Sequence, residues 1–123
     1  MTRRSVRAVG ETVSALRAEA ERSGAAVAVV VDHAAAARKA GLEMPDTQVL
    51  IFGNPQVGTP LMQTCPEIAI DLPIRVMVRD DGQDGSLITW QDPAYLAQRY
   101  GLPEDQLAPL GAPAKIASTL EDH

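Results

Sequence analysis

The residues able to do chemistry in this chain are few and fall into three groups. Asp32-His33 pairs a carboxylate with the imidazole of one of only two histidines, the other being His123. Cys65 is the single thiol, and Asp71 follows it closely enough to be a partner in space. Asn54, Gly58, Thr59 and Met62 cluster in the stretch Gly53-Asn54-Pro55-Gln56-Val57-Gly58-Thr59-Pro60-Leu61-Met62.

Each group has a functional and a structural reading. His33 could serve as a general base oriented by a carboxylate. Equally, Asp32 could cap a helix and leave His33 on the surface, since neighbours at a helix start point in different directions. Cys65-Pro66 could place a thiol at a helix start, which would activate it. Lone cysteines, however, usually pack as small buried hydrophobes. The glycine-bearing turn could present N–H groups to an anion or carbonyl, or Asn54 and Thr59 could simply cap two short helical turns. It does not match a phosphate loop, which needs a Gly-Lys-Ser/Thr step; no lysine occurs between Lys39 and Lys115.

Composition narrows the classes further. The chain has 123 residues, 46% apolar and 22% charged, with a net charge of -5. That length suits one domain, and the acidic balance argues against nucleic acid as a partner. Aromatic residues are 3%, so the core must be aliphatic. A single cysteine excludes an internal disulfide and a cysteine zinc cluster. Asp80, Asp81 and Asp84 lack the ligand spacing of a calcium loop, so neither metal nor cofactor is expected. No run reaches the 18 or so apolar residues of a membrane span. Arg3-Arg4 is not followed by the apolar stretch of an export signal. The expectation is a cytoplasmic location with no membrane partner.

The elements that must position these residues follow from patterning. Ser5 to Val9 alternates weakly, like an edge strand, and Thr12 to Arg22 carries Val13, Leu16 and Ala20 at helical spacing before a stop at Gly24. Ala25 to Val31 predicts a strand covered on both faces. Asp32 then caps a short helix that Gly41 closes. Thr47 to Phe52 predicts the central strand. Two helical turns are expected at Asn54-Pro55 and Thr59-Pro60, with Gly58 between them supplying an unusual backbone angle. Cys65 to Ile70 suggests a further turn. Ile74 to Arg79 and Ser86 to Trp90 predict a hairpin with Ile74, Val76 and Val78 inward. Asp92-Pro93 and Gly111-Ala112-Pro113 each open a C-terminal helix. The sum is a single α+β domain, a β-α-β-α-β start with a late hairpin, and a mixed or mainly antiparallel sheet.

Several segments carry a family likeness. Asp32-His33-Ala34-Ala35-Ala36-Ala37, Gly41 through Pro55, Gly58-Thr59-Pro60-Leu61-Met62, Ile70 through Val76 and Asp92-Pro93-Ala94-Tyr95-Leu96 together make the chain resemble the DUF302 family. The resemblance covers residues 5 to about 102 and leaves a C-terminal tail, 103–123, outside it. It implies a small bacterial or archaeal α+β domain that forms homodimers, and implies no activity. One departure is Pro45-Asp46, where the family often has two prolines.

Three functions remain open at this level. The first is a homodimeric module binding a small molecule over Val49 to Phe52, rimmed by Asn54, Gly58, Thr59, Met62 and His33. The second is a hydrolase- or isomerase-like enzyme using His33 with Asp71 or Cys65. The third is a structural homodimer or scaffold with no ligand, joined through the exposed edge of the Ile74–Trp90 hairpin.

Overall fold

A computed structural model describes residues 1–120. His123, the second histidine, lies outside the described residues. The strands are β1 (Thr2–Ser5), β2 (Ala26–Asp32), β3 (Thr47–Gly53), β4 (Ile74–Asp80) and β5 (Ser86–Trp90). The helices are α1 (Val9–Arg22), α2 (His33–Lys39), α3 (Pro55–Thr64), α4 (Pro93–Tyr100) and α5 (Ala112–Ser118). A 3-10 helix, Pro66–Asp71, follows α3, and two shorter ones lead into α5.

The five strands form one antiparallel sheet in the order β1-β5-β4-β3-β2. β4, not β3, is its central strand. The β4–β5 hairpin therefore has no free edge; the open edges belong to β1 and β2. This overturns the hairpin as a docking edge. β2 also departs from expectation, because its Val-rich run is not covered on both faces. Val29 is 46% exposed, and a register shift between Val27 and Val29 marks a bulge of the kind that protects an edge.

One sheet face carries Leu50, Phe52, Val76, Val78, Ile88 and Trp90, packed under Val9, Val13, Leu16 and Ala20 of α1 and Ile116 and Ala117 of α5. The alternation read in β4 thus places Val76 and Val78 inward as expected. The opposite face carries Val29, Val31, Val49, Ile51, Met77 and Leu87, which join neither cluster of buried residues. A second, smaller core sits off the sheet. Leu61, Ile68, Leu96 and Leu110 form it, with Met62, Cys65, Leu72 and Tyr100 packed around them.

Between β1, α1 and β5, three buried hydroxyls satisfy one another. Thr12 Oγ1 lies 2.9 Å from Ser5 Oγ and 3.0 Å from Ser86 Oγ. Ser86 Oγ donates onward to the Arg7 carbonyl at 3.0 Å. A buried polar group without such a partner would cost about 1–3 kcal/mol, so this chain of bonds is what lets a short edge strand dock on the core.

Candidate functional site

The two cores do not meet completely, and the gap between them is a cavity of about 520 Å³. Phe52, Ile74, Ala112 and Ile116 wall it from the first core; Leu61, Met62, Leu72 and Leu110 wall it from the second. The gap has a cause in the sequence. Much of the remaining lining is glycine, alanine and proline: Ala25, Gly53, Pro55, Gly58, Pro73 and Ala108. Such residues have too little side chain to close a seam, and with 3% aromatics the chain has few large groups to do so.

The floor of the cavity is the β3–α3 junction. Gly53 ends β3 where Pro73 approaches; a Cβ there would stand 3.3 Å from Pro73 Cβ. Asn54 then caps α3, its side-chain oxygen accepting from the Gln56 N–H at 3.0 Å. Its carbonyl accepts from Val57 N–H at 2.9 Å and Gly58 N–H at 2.8 Å. Pro55 has no N–H to offer. The first-turn amides are therefore already bonded and not available to an anion, and of the two readings of this turn the capping one holds for Asn54.

α3 is also one continuous helix rather than two turns. Pro60 lies inside it, five residues past Pro55, and Gly58 has no positive φ. Gly58 instead lies beside Leu72, whose Cδ1 would be 3.8 Å from an added Cβ. Its place in the lining comes from size, not from backbone angle. The glycines that do adopt positive φ include Gly24 (97°), Gly41 (78°) and Gly101 (65°), each following a helix, the first two as the sequence indicated.

Asn54, Gly58, Thr59 and Met62 all line the cavity. His33 does not. It is exposed at the start of α2, beyond Asp32, and Asp32 pairs with Gln48 near the far end of β3. Five residues of strand separate Gln48 from Gly53, roughly 17 Å at about 3.4 Å per residue. The Asp32 carboxylate accepts from the Ala35 N–H at 2.9 Å, so it caps α2 and does not orient the imidazole.

Asp71 and Cys65 come together elsewhere, around Tyr100. The Tyr100 hydroxyl donates a short hydrogen bond to Asp71 Oδ2, and Arg75 Nη2 donates to Oδ1 at 3.1 Å. Arg99 Nε lies 3.9 Å from the same carboxylate, and its guanidinium carbon stands 5.5 Å from the Tyr100 ring centre. The bond to Asp71, with burial adding to it, holds the Tyr100 phenol above its ordinary pKa. Cys65 Sγ sits 3.6 Å from Glu67 Oε2 and 4.0 Å from the Tyr100 carbonyl. A thiol beside a carboxylate lacks the positive surroundings that make a nucleophile. With His33 at the other end of the sheet, neither Asp71 nor Cys65 has an imidazole to work with among the described residues, and the cluster fastens α4 to the Pro66–Asp71 helix.

Sequence reasoning missed the wall supplied by the C-terminal segment: Ala108, Pro109, Leu110, Ala112, Lys115 and Ile116. The one signal there was Lys115, a lone lysine in an apolar helix. Comparison with known proteins agrees that this segment is part of the domain. Residues 1–121 match the model of the family described as "Domain of unknown function DUF302". The chain belongs to the DUF302 family. The match extends the boundary of 5 to about 102 read from motifs alone and takes in most of the tail.

A DUF302 protein of known structure shares the fold. The crystal structure of an uncharacterized conserved DUF302 protein from Bacillus stearothermophilus superposes with a TM-score of 0.83 at 17% identity, covering 98% of this chain and 94% of that one. Two proteins named fluoride-specific ion channel FluC 1, from Brucella suis and Brucella abortus, are each 46% identical over 102 residues, 83% of this chain. Those residues are only 40% and 38% of the two relatives, so the chain spans about two fifths of their length.

Proposed function

We propose that this domain is a binding module for a small, predominantly apolar molecule held in the cavity between its two cores. The observation that carries the reading is the cavity itself. At about 520 Å³ it lies within the 300–1,000 Å³ usual for small-molecule sites. Its lining is mostly aliphatic, with Asn54, Thr59 and Lys115 among its few polar side chains. Binding ahead of catalysis follows from the same geometry, because the residues most able to do chemistry lie outside it. Calorimetric titration with 1-decanol, for wild type and for Val57→Trp, tests this. Saturable one-to-one binding that the tryptophan weakens is expected; heats of dilution alone would refute it.

A second observation supports association with another copy. Val29, Val31, Val49, Ile51, Met77 and Leu87 form an apolar set on the sheet face opposite α1 and α5. A homodimer joined through this face would cover it. Light scattering at high micromolar concentration should give twice the chain mass, and Ile51→Glu should halve it. A wild-type monomer would reject the homodimer.

The Brucella relatives are named as fluoride-specific ion channels, and the part they share with this chain is the smaller part of them. Among the described residues no helix is long and apolar enough to cross a membrane. We infer an accessory role for the shared part. Millimolar fluoride should leave 1-decanol binding unchanged; a fluoride-dependent loss would couple the cavity to the anion.

A further inference from the structure

The cavity is electrostatically one-sided. The chain has 16 acidic and 11 basic residues, yet among the described residues no aspartate or glutamate lines the cavity, and Lys115 is the one formally charged side chain that does. Among the described residues, no carboxylate forms an ion pair with Lys115. Lys115 precedes the buried Ile116 on α5 but is itself exposed. A lysine so placed lays its methylene stem along apolar surface and keeps its ammonium at the solvent side. Thr59 is a further polar residue of the lining. The α3 N-terminus is not the source of positive charge, since Asn54 already takes its Gln56, Val57 and Gly58 amides.

We propose that the molecule bound here is an amphipathic monoanion, with an apolar body against Val57, Leu61, Met62 and Ile74 and a carboxylate or similar head paired with Lys115. This rests on the cavity being a binding site and adds the head group. A bare ammonium at the mouth of an apolar hollow rewards an anion and penalises a cation. A free amphiphile and an anionic membrane lipid offer the same chemistry. The hollow is walled by two cores and so suits the free molecule.

Three ligands of equal chain length separate the terms: decanoate, 1-decanol and decyltrimethylammonium, titrated calorimetrically below their aggregation concentrations. Decanoate should bind about five- to tenfold tighter than 1-decanol, and the ammonium compound weakest. Lys115→Met should bring decanoate to the level of 1-decanol, and Lys115→Arg should keep the preference. Equal affinity for decanoate and 1-decanol in wild type, or a preference surviving in Lys115→Met, overturns the anionic head and leaves the cavity reading intact. No binding of any of the three overturns both. Cosedimentation with phosphatidylglycerol vesicles without decanoate binding overturns the free amphiphile in favour of a lipid surface.

Discussion

Tyr100 donates its phenolic hydrogen to Asp71 across 29 residues of chain, joining the end of α4 to the end of the Pro66–Asp71 helix. Asp71 is 8% exposed, and Arg75 binds its other oxygen. The contact braces the second core, which forms half of the cavity wall.

That contact has a pH signature. The hydrogen bond to Asp71, then burial, holds the Tyr100 phenol above its usual pKa near 10. A raised folded-state pKa means the folded chain keeps a proton that the unfolded chain would release. The stabilisation is complete below pH of about 10 and is lost as pH rises through the folded value. Urea denaturation at pH 8 and pH 11 should show wild type losing more stability than Tyr100→Phe. Equal losses would contradict the assignment.

At the opposite pole of the pH scale stands Asp81. Its carboxylate accepts from the Gln83 N–H at 2.7 Å and the Gly85 N–H at 3.2 Å, and Arg4 Nε lies 3.1 Å away. The Gln83 bond first, then Gly85 and Arg4, hold its pKa below the ordinary value. A lowered pKa stabilises the fold above pH of about 4 and the effect disappears as pH falls through the folded value. Asp81→Asn should remove part of the acid sensitivity measured by circular dichroism between pH 5 and pH 2. An unchanged acid transition would argue against it.

Two glycines should respond to alanine with opposite signs. At Gly58, inside α3 with no positive φ, an added Cβ meets only Leu72 Cδ1 at 3.8 Å. Gly58→Ala should stabilise by about 0.5–1 kcal/mol, the ordinary gain within a helix. At Gly85 a Cβ would stand 2.3 Å from the Ser5 carbonyl oxygen, which is backbone of the edge strand. Gly85→Ala should cost about 1–3 kcal/mol by forcing β1 and β5 apart. Denaturant midpoints of the two variants decide both signs.

Asn54 has a role in stability separate from any ligand. Its side chain caps α3 through Gln56, so Asn54→Ala should cost about 0.5–2 kcal/mol. Asn54→Asp preserves the acceptor and should stay within a few tenths of wild type at neutral pH. Chemical denaturation of both variants without ligand measures this; equal losses would mean the cap is not what Asn54 contributes.

The legible parts of this fold were those set by local chemistry. Asp32, Asn54 and Asp92 cap helices as their positions suggested, and the alternation in Ile74–Arg79 named the inward residues of β4. What sequence alone left hidden depends on contacts distant along the chain. The Val run of β2 reads as a covered strand because apolarity cannot tell an edge strand with a bulge from an interior one. Pro60 reads as a second start, although a proline five residues after Asn54's neighbour Pro55 still sits within one helix. Of the candidate site, Asn54, Gly58, Thr59 and Met62 were found because they share one short stretch. Lys115 and Leu110 were not, since nothing near them in sequence marks them as neighbours of α3.

An NMR titration of the ¹⁵N-labelled chain with 1-decanol, following backbone amides, decides whether the cavity between the two cores holds a ligand. Saturable shifts concentrated at Gly53, Val57, Gly58, Ala112 and Ile116 are expected. Shifts absent, unsaturable, or centred on Val29, Ile51 and Met77 of the outer sheet face would contradict binding in the cavity.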